Sequence, residues 1–320
     1  MISADLAGRL RCMHRSGALD LPLPGDGATS DRLHRLAAIA DADVSLARLA
    51  EAHTDAVAIL AEAGRTAVPD ALYGVWASED GEHRLEMRET DDGIVLSGGL
   101  PFCSGIGLVD RALVHARCGS ARYLVDVDLS VGGIFADLGV WQAPAFSGTC
   151  TGALHFNDVV LPTDAQVGGD GWYLLRPGFW QGACGPAACW AGGTRGLVRI
   201  ALAEGSTRAP DPHRSAHLGA LTALDWQLSA MLNAAGAGID AAATDVGVAE
   251  RTALALRANV ERAALAVIDH FGRAFGPRLL AFDAEVARRV AEVQLYVRQH
   301  GGERDLARLG HLARELAGTT

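Results

Sequence analysis

The chain has 320 residues, of which 49% are hydrophobic and 21% are charged, a balance that excludes a disordered or fibrous protein. All 28 basic residues are arginine, and 38 acidic residues bring the net charge to -10 at pH 7. This charge argues against a nucleic-acid partner, and the lack of lysine excludes Schiff-base and P-loop lysine chemistry.

The N-terminal segment MISADLAGRLRCMHRSG lacks the apolar core of a signal peptide. No run of about 18 uncharged apolar residues occurs that could span a bilayer. The six cysteines lie far apart, without the CxxC or Cys/His spacing of a zinc site, so we predict reduced thiols and no bound metal. We therefore expect a cytoplasmic protein with no membrane partner.

The first predicted element covers residues 29–64, where apolar side chains recur at three- and four-residue steps. This period is typical of an amphipathic helix, and the pattern breaks once near residues 41–43. After Pro69 the sequence changes to short apolar or alternating runs between turn signals. Such runs predict strands, and their spacing favours an antiparallel sheet or barrel.

Beyond Gly178 the apolar period returns to 3.6 residues. Long helices joined by short breaks predict an antiparallel helical bundle. Its segments lie near 183–204, 214–240, 244–275, 283–299 and 303–317. The chain is therefore predicted to have an N-terminal helical domain over 1–68, a central β-domain over 69–170 and a C-terminal helical bundle over 171–320.

Five stretches in this order carry a family resemblance. They are LHRLAAIADADVSLARLAEAH, YGVWASED, LSGGLPFCSGIGLVDRALVHAR, TGALHFNDVVLP and QHGGERDLARLG. Together they resemble the acyl-CoA dehydrogenase superfamily, and the chain looks like a divergent member. The resemblance implies an α+β fold in which N-terminal helices and a C-terminal bundle flank an antiparallel β-barrel. It also implies bound FAD and a homodimer or homotetramer.

The PFCSG turn corresponds to the family segment that presents an aromatic residue and a hydroxyl to the flavin ring. By this resemblance Phe102, Cys103 and Ser104 contact FAD, together with Trp76 from the segment that leads into the barrel. A flavin needs a flat apolar contact and hydrogen-bond donors at its N5/O4 edge, which Phe102 and Ser104 can supply. The alternative is a plain hairpin with a buried Phe and a turn Ser.

Two further cofactor candidates lie where the family often places groups on the FAD pyrophosphate or adenine of a neighbouring subunit. They are Arg214 and His217, which match the family in kind. Arginine suits bidentate phosphate binding, although Arg214 can equally cap the start of its helix.

The catalytic candidates differ between two branches of the superfamily. Dehydrogenases remove the substrate α-proton with a glutamate, in one arrangement within an E-G-T context after an R-D pair. Here no E-G-T follows Arg304 and Asp305, and Glu315 lies about two residues out of register. Monooxygenases of the same fold place histidines near the flavin, which implies His53 and His311, because a neutral imidazole can donate or accept a proton.

The resemblance as a whole implies an FAD-dependent oxidoreductase that acts on the CH–CH bond of an acyl thioester, with acyl-CoA or a related small molecule as substrate. A flavin-dependent monooxygenase that uses His53, Ser104 and His311 is the alternative enzyme. The missing E-G-T glutamate also leaves open a catalytically degenerate binding or assembly subunit. The electron acceptor is not defined by the motifs.

Overall fold

The computed structural model describes residues 2–78 and 83–318. Its helices are α1 (Ile2–Arg15), α2 (Thr29–Ala42), α3 (Val44–Glu62), α4 (Trp172–Leu175), α5 (Pro177–Gly182), α6 (Cys184–Ser206), α7 (Pro212–Ala241), α8 (Val246–Phe275), α9 (Pro277–Phe282), α10 (Ala284–Tyr296) and α11 (Glu303–Gly318). Its strands are β1 (Tyr73–Trp76), β2 (Leu85–Thr90), β3 (Gly93–Cys103), β4 (Arg111–Cys118), β5 (Ala121–Asp128), β6 (Ile134–Asp137), β7 (Gly152–Leu161) and β8 (Gln166–Val167).

This order confirms the prediction of helices, then strands, then helices. The break predicted within residues 29–64 is also confirmed, because α2 ends at Ala42 and α3 begins at Val44. Asp43 between them has an extended backbone, and its carboxylate accepts a hydrogen bond from the amide of Leu46 at 3.1 Å. A side-chain acceptor at that position satisfies a free amide in the first turn of α3 and so favours the beginning of a second helix there.

The prediction of a closed, antiparallel barrel is wrong on both counts. The strands form an open sheet in the order β6-β7-β3-β2-β4-β5-β8, and β1 pairs with β4 beside that path. β1 and β2 both run parallel to β4, the first over Tyr73–Trp76 and the second only at Glu86. The end strands β6 and β8 have four and two residues, which is too short for the continuous ladder that closure requires.

The contacts divide the chain into two compact units. Unit 1 comprises Met1–Leu21 and Leu49–Phe179, and unit 2 comprises Pro22–Arg48 and Trp180–Thr320. The three domain boundaries inferred from the sequence stay a prediction. Among the described helices, none combines the length and the apolar character needed to cross a membrane.

Each unit has its own apolar core. In unit 1, helix α3 packs on the sheet through a cluster formed by Ala56, Ile59, Leu60, Ala71, Tyr73, Leu113, Leu124 and Val167. In unit 2, helices α6 to α10 share a cluster formed by Leu197, Val198, Ala201, Leu221, Val267, Phe271, Phe275, Leu279 and Val286.

Candidate functional site

The PFCSG turn lies at the end of β3, where the strand departs from regular pairing. The register between β3 and β7 shifts between Leu100 and Cys103. Within this irregularity Phe102 has a left-handed backbone with φ 56°, and its side chain is 56% exposed. A non-glycine residue in this region costs about 1 to 3 kcal/mol, and such irregularities redirect side chains near functional sites. The left-handed backbone of Phe102 thus directs its aromatic ring toward the surface of unit 1.

The backbone of the turn is held on two sides. The indole Nε1 of Trp76 donates to the carbonyl oxygen of Ser104 at 3.0 Å, and the amide of Gly105 donates to the carbonyl oxygen of Thr149 at 2.8 Å. Gly105 has φ +91°, and a Cβ there would press on the side chains of Val109 and Leu49. Glycine is therefore required directly after Ser104.

Hydroxyl groups beside the PFCSG turn contact one another at hydrogen-bond distance. Ser104 Oγ lies 2.9 Å from Thr151 Oγ1, which lies 2.8 Å from Thr149 Oγ1. Both threonines are buried. The backbone around them is left-handed at Phe146, with φ 61°, and at Cys150, with φ 47°. Three of the strained positions in unit 1 therefore surround Ser104 and its hydroxyl partners.

A cavity of about 490 Å³ adjoins the turn within unit 1. Its walls are largely apolar and include Trp76 on β1, Ile106 and Val109 after β3, Ile134 and Ala136 on β6, and Leu154 on β7. A volume of this size lies in the range of about 300 to 1,000 Å³ that small-molecule sites occupy. The cavity can therefore hold a compact apolar ligand beside the Trp76–Ser104 contact.

The carboxylates of Asp110 and Asp128 form the acidic edge of the cavity, and each is engaged by an arginine of unit 1. Asp110 accepts two hydrogen bonds from Arg11, at 2.8 and 3.1 Å, and one from the amide of Leu72 at 2.8 Å. Burial alone would raise the pKa of Asp110, but these hydrogen bonds outweigh it and hold the pKa below its usual range.

Asp128, which also lines the cavity, is similarly engaged. Hydrogen bonds from the hydroxyl and the amide of Ser130 lower the pKa of Asp128, and Arg111 lies 3.4 Å from its carboxylate. Both carboxylates therefore stay charged and paired at neutral pH, and neither is suited to take a proton from a substrate.

Two predicted site residues of unit 1 are buried. Cys103 is fully buried, and burial raises the pKa of its thiol to about 12. His53 is 3% exposed, and burial, aided by His14, lowers the pKa of its imidazole to about 4. Its Nδ1 accepts a hydrogen bond from the amide of Tyr73 at 3.2 Å. His53 is therefore neutral near pH 7, with its proton on Nε2.

In unit 2, Arg214 lies in the first turn of α7. Its amide donates to the carboxylate of Asp211 at 2.7 Å, and its Nη1 donates to the carbonyl oxygen of Ala209 at 3.0 Å. Its Nε is a buried donor that has no hydrogen-bond partner among the described residues. His217, one turn further, places its Nδ1 3.0 Å from that of His270. Both predicted phosphate contacts thus share one end of α7.

The last two candidates lie on another helix of unit 2. His311 and Glu315 are one turn apart on α11, and both are exposed. The structure therefore brings Trp76 and Ser104 into contact within unit 1, and sets His311 and Glu315 on the surface of α11. Among the described residues, no group of three or more His, Cys, Asp or Glu side chains is placed to hold a metal ion.

The sequence-based reasoning missed Thr149, Thr151 and the acidic edge of the cavity. No periodic signal pointed to Thr149 and Thr151, because Thr149 ends a 3₁₀ turn and Cys150 between them has a left-handed backbone. The pairing of Arg11 with Asp110 left no such signal, since its two partners are 99 positions apart.

No family model and no curated protein matches the chain. Solved structures do match at low identity. Dibenzothiophene monooxygenase TdsC from Paenibacillus sp. A11-2 is 17% identical over 97% of this chain and 95% of its own, with a TM-score of 0.76. Its complex with FMN and indole has the same identity and coverage and a TM-score of 0.78. Methanesulfinate monooxygenase MsuC from Pseudomonas fluorescens is 16% identical over 98% and 95%, with a TM-score of 0.78.

A third similar structure is titled PigA with FAD and proline. It is 15% identical over 97% of this chain and 89% of its own, with a TM-score of 0.81. These similarities show that the chain has the acyl-CoA dehydrogenase-like fold, as the sequence resemblance implied.

Proposed function

We propose that this protein is a flavin-dependent monooxygenase that oxidises a small, largely apolar molecule. The observation that carries the proposal is the cavity of about 490 Å³ beside the Trp76–Ser104 contact. Its apolar walls suit a compact substrate, and its carboxylates are engaged by Arg11 and Arg111. The fold is shared with two proteins titled monooxygenases, which supports the same class of reaction.

Oxidation of an acyl thioester at its CH–CH bond is the second candidate, and the cavity favours it less. That reaction needs a carboxylate that accepts an α-proton, whereas the hydrogen bonds on Asp110 and Asp128 lower the pKa of both. The phosphates of coenzyme A need cationic partners, and no arginine is among the described residues that line the cavity. The exposed Glu315 on α11 is the remaining candidate base from the sequence.

The residues near the turn fit a flavin. Phe102 offers an exposed flat ring, Ser104 offers a hydroxyl, and the strained backbone holds both in place. The Nε of Arg214 is buried and has no hydrogen-bond partner among the described residues, which suits a phosphate oxygen. We propose Arg214 and His217 for the pyrophosphate or adenine of the flavin of a neighbouring subunit. A bound reduced flavin would supply the electrons that activate molecular oxygen.

We propose FAD as the flavin, with FMN as the alternative, because the similar structures contain one or the other. In this assignment Phe102, Ser104, Trp76 and the packed Cys103 hold the ring. The neutral imidazole of His53, whose proton is on Nε2, and His311 are candidates for proton transfer.

Flavin binding tests the proposal first. The purified protein is titrated with FAD and separately with FMN, and the visible spectrum and flavin fluorescence are recorded. We expect saturable binding of one of them. Failure to bind either flavin contradicts the proposal, and bleaching of bound flavin by anaerobic acyl-CoA would favour the dehydrogenase instead.

The cavity is then tested with reduced flavin, oxygen and indole as the first probe. Ala136→Trp fills the cavity from the exposed side of β6, and we expect product formation to fall about tenfold because the added ring clashes with the substrate. Flavin affinity should not change. Val160→Trp on the exposed face of β7 is the matched control, and an equal loss in both variants would contradict the assignment of the cavity.

A further inference from the structure

The polar edge of the cavity in unit 1 offers acceptors of hydrogen bonds to a ligand. Its described lining contains the carboxylates of Asp110 and Asp128 and the hydroxyl of Ser130. Ser130 donates from its Oγ and from its amide to Asp128 Oδ1, at 2.6 and 2.9 Å. The indole Nε1 of Trp76 donates to the carbonyl oxygen of Ser104. The side-chain donors of the described lining are therefore used within the protein, and the carboxylates remain as acceptors.

The two carboxylates differ in how much of their accepting capacity is already taken. Asp110 accepts three hydrogen bonds from other groups of unit 1. At Asp128 both bonds from Ser130 go to Oδ1, and Oδ2 lies 3.4 Å from Nη1 of Arg111, which is long for a hydrogen bond. The Asp128 side chain is 45% exposed. Asp128 is thus the carboxylate of the cavity with capacity left for a ligand.

Arg111 directs its shorter contact to a different carboxylate. Its Nε donates to Asp126 at 2.9 Å, and the side chain of Asp126 is 4% exposed. Hydrogen bonds from Ser130 hold the pKa of Asp128 below its ordinary value, although burial and the like charge of Asp110 act in the opposite direction. Two like charges therefore line one cavity at neutral pH, and a cation bound beside them would reduce their repulsion.

We propose that the substrate carries a protonated amine on its apolar body, and that Asp128 is the specificity-determining residue that accepts a hydrogen bond from this amine. The inference rests on the proposed function, in which the cavity holds the substrate. Among the described residues of the lining there is no arginine or histidine, so an ammonium group supplies the donor and the positive charge that this lining lacks. A protonated nitrogen has no lone pair, so the amine anchors the substrate and the oxidised atom lies on the apolar body.

Three probes with the same indole ring and a different charge test this specificity. They are tryptamine, which is a cation at neutral pH, tryptophol, which is neutral, and indole-3-propionate, which is an anion. Their affinities for the flavin-loaded wild-type protein are measured by isothermal titration calorimetry, and the titrations are repeated without flavin. We expect tryptamine to bind about tenfold more tightly than tryptophol, as for one hydrogen bond to a charged group. Indole-3-propionate should bind the most weakly, because the carboxylates repel it.

Asp128→Asn tests the residue itself, because the amide oxygen still accepts from Ser130 while the charge is removed. Tryptamine should lose about tenfold in affinity, whereas the affinity for tryptophol should stay the same. Asp158→Asn is the matched control. Asp158 also accepts from a serine hydroxyl, that of Ser97 at 2.7 Å, and lies 3.6 Å from Arg88, but it is outside the cavity lining. This variant should keep the wild-type preference for tryptamine.

The outcomes separate this inference from the proposed function. Equal affinity of the wild type for tryptamine and tryptophol overturns the inference, and this measurement does not depend on the folding of any variant. A preference that persists in Asp128→Asn, or that is lost equally in Asp158→Asn, overturns the assignment to Asp128. A protein that binds neither flavin but shows the preference and loses it only in Asp128→Asn overturns the proposed monooxygenase, while the specificity of the cavity for an amine stands.

Discussion

His53 is a neutral imidazole in the folded protein because unit 1 encloses it on helix α3. Its Nδ1 is satisfied by the amide of Tyr73, and a proton there would break that hydrogen bond inside an apolar cluster. Burial lowers its pKa from 6.5 to about 4, and the neighbouring His14 adds to the effect. Burial thus keeps the imidazole of His53 neutral at pH 7, whereas an exposed histidine is partly protonated near that pH.

This pKa difference predicts an acid-sensitive stability. The unfolded chain binds a proton at His53 below about pH 6.5, whereas the folded protein does so only near pH 4. The contribution of neutral His53 to the free energy of unfolding is complete above about pH 6.5 and declines as the pH falls toward 4. The maximum loss is about 3 kcal/mol, at about 1.4 kcal/mol for each pKa unit.

Urea unfolding between pH 7.5 and pH 4.5 measures this loss. His53→Asn retains an acceptor and removes the titrating group, so its free energy of unfolding should decline less than that of the wild type. His311→Asn is the control, because His311 is exposed on α11. Parallel pH dependence in the wild type and His53→Asn would contradict the prediction.

The sequence indicated the PFCSG turn as a candidate site because Phe102, Ser104 and Gly105 lie within four positions of one another. It did not reveal the left-handed backbone of Phe102, which arises where the pairing of β3 with β7 becomes irregular. It also did not reveal the hydrogen bond between the hydroxyls of Ser104 and Thr151, since Thr151 lies 47 positions from Ser104. The sequence shows the side-chain types of the turn directly, but their hydrogen bonds depend on contacts between distant segments.

At the scale of elements, α6 packs closely on its neighbours because it carries Gly192 on the side that faces α2 and Gly193 on the side that faces α3 and α10. A Cβ at Gly192 would collide with the backbone carbonyl of Ala37. A Cβ at Gly193 would press on the side chains of Val44 and Val293. Backbone cannot move aside as a flexible side chain can, so the contact at Gly192 is the less tolerant one.

Gly192→Ala should therefore destabilise the protein despite the higher helix propensity of alanine. We expect the free energy of unfolding to fall by about 1 to 3 kcal/mol, as for overpacking of a closely packed interior. Gly219→Ala on α7 is the matched control, because a Cβ there meets nothing within 4 Å. It should raise stability by up to about 1 kcal/mol. Equal effects of the two changes in urea unfolding would contradict the packing argument.

Helices and strands with a strong hydrophobic period were predictable from the sequence, whereas the neighbouring elements that they pair with were not. The short apolar or alternating runs after Pro69 that predicted strands correspond to β1, β2, β3, β4, β5 and β7, and the long helices of unit 2 follow their apolar period. β6 was missed because its four residues, Ile134–Asp137, are mostly exposed and show no alternation. The parallel pairing of β1 with β4 was not predictable, because alternation indicates a strand without identifying its neighbour or direction.

At the scale of the whole molecule, the surface of unit 2 retains large apolar side chains. Trp226 on α7 is 75% exposed, and Phe282 at the end of α9 is 87% exposed. Exposed aromatic residues on a chain with net charge -10 are typical of surfaces that another subunit covers. The sequence resemblance implied a homodimer or homotetramer, and these residues are the candidates for its interface.

We therefore expect light scattering to give the mass of two or four chains at micromolar concentration. Trp226→Arg combined with Phe282→Arg should shift the protein toward the monomer, because each charge would have to be buried without a partner. Leu175→Arg on α4 of unit 1 is the control, since Leu175 is 74% exposed but lies outside the helical unit expected at the interface. A wild-type mass of one chain would contradict the predicted oligomer. An unchanged mass in the double variant would contradict the assignment of Trp226 and Phe282 to the interface.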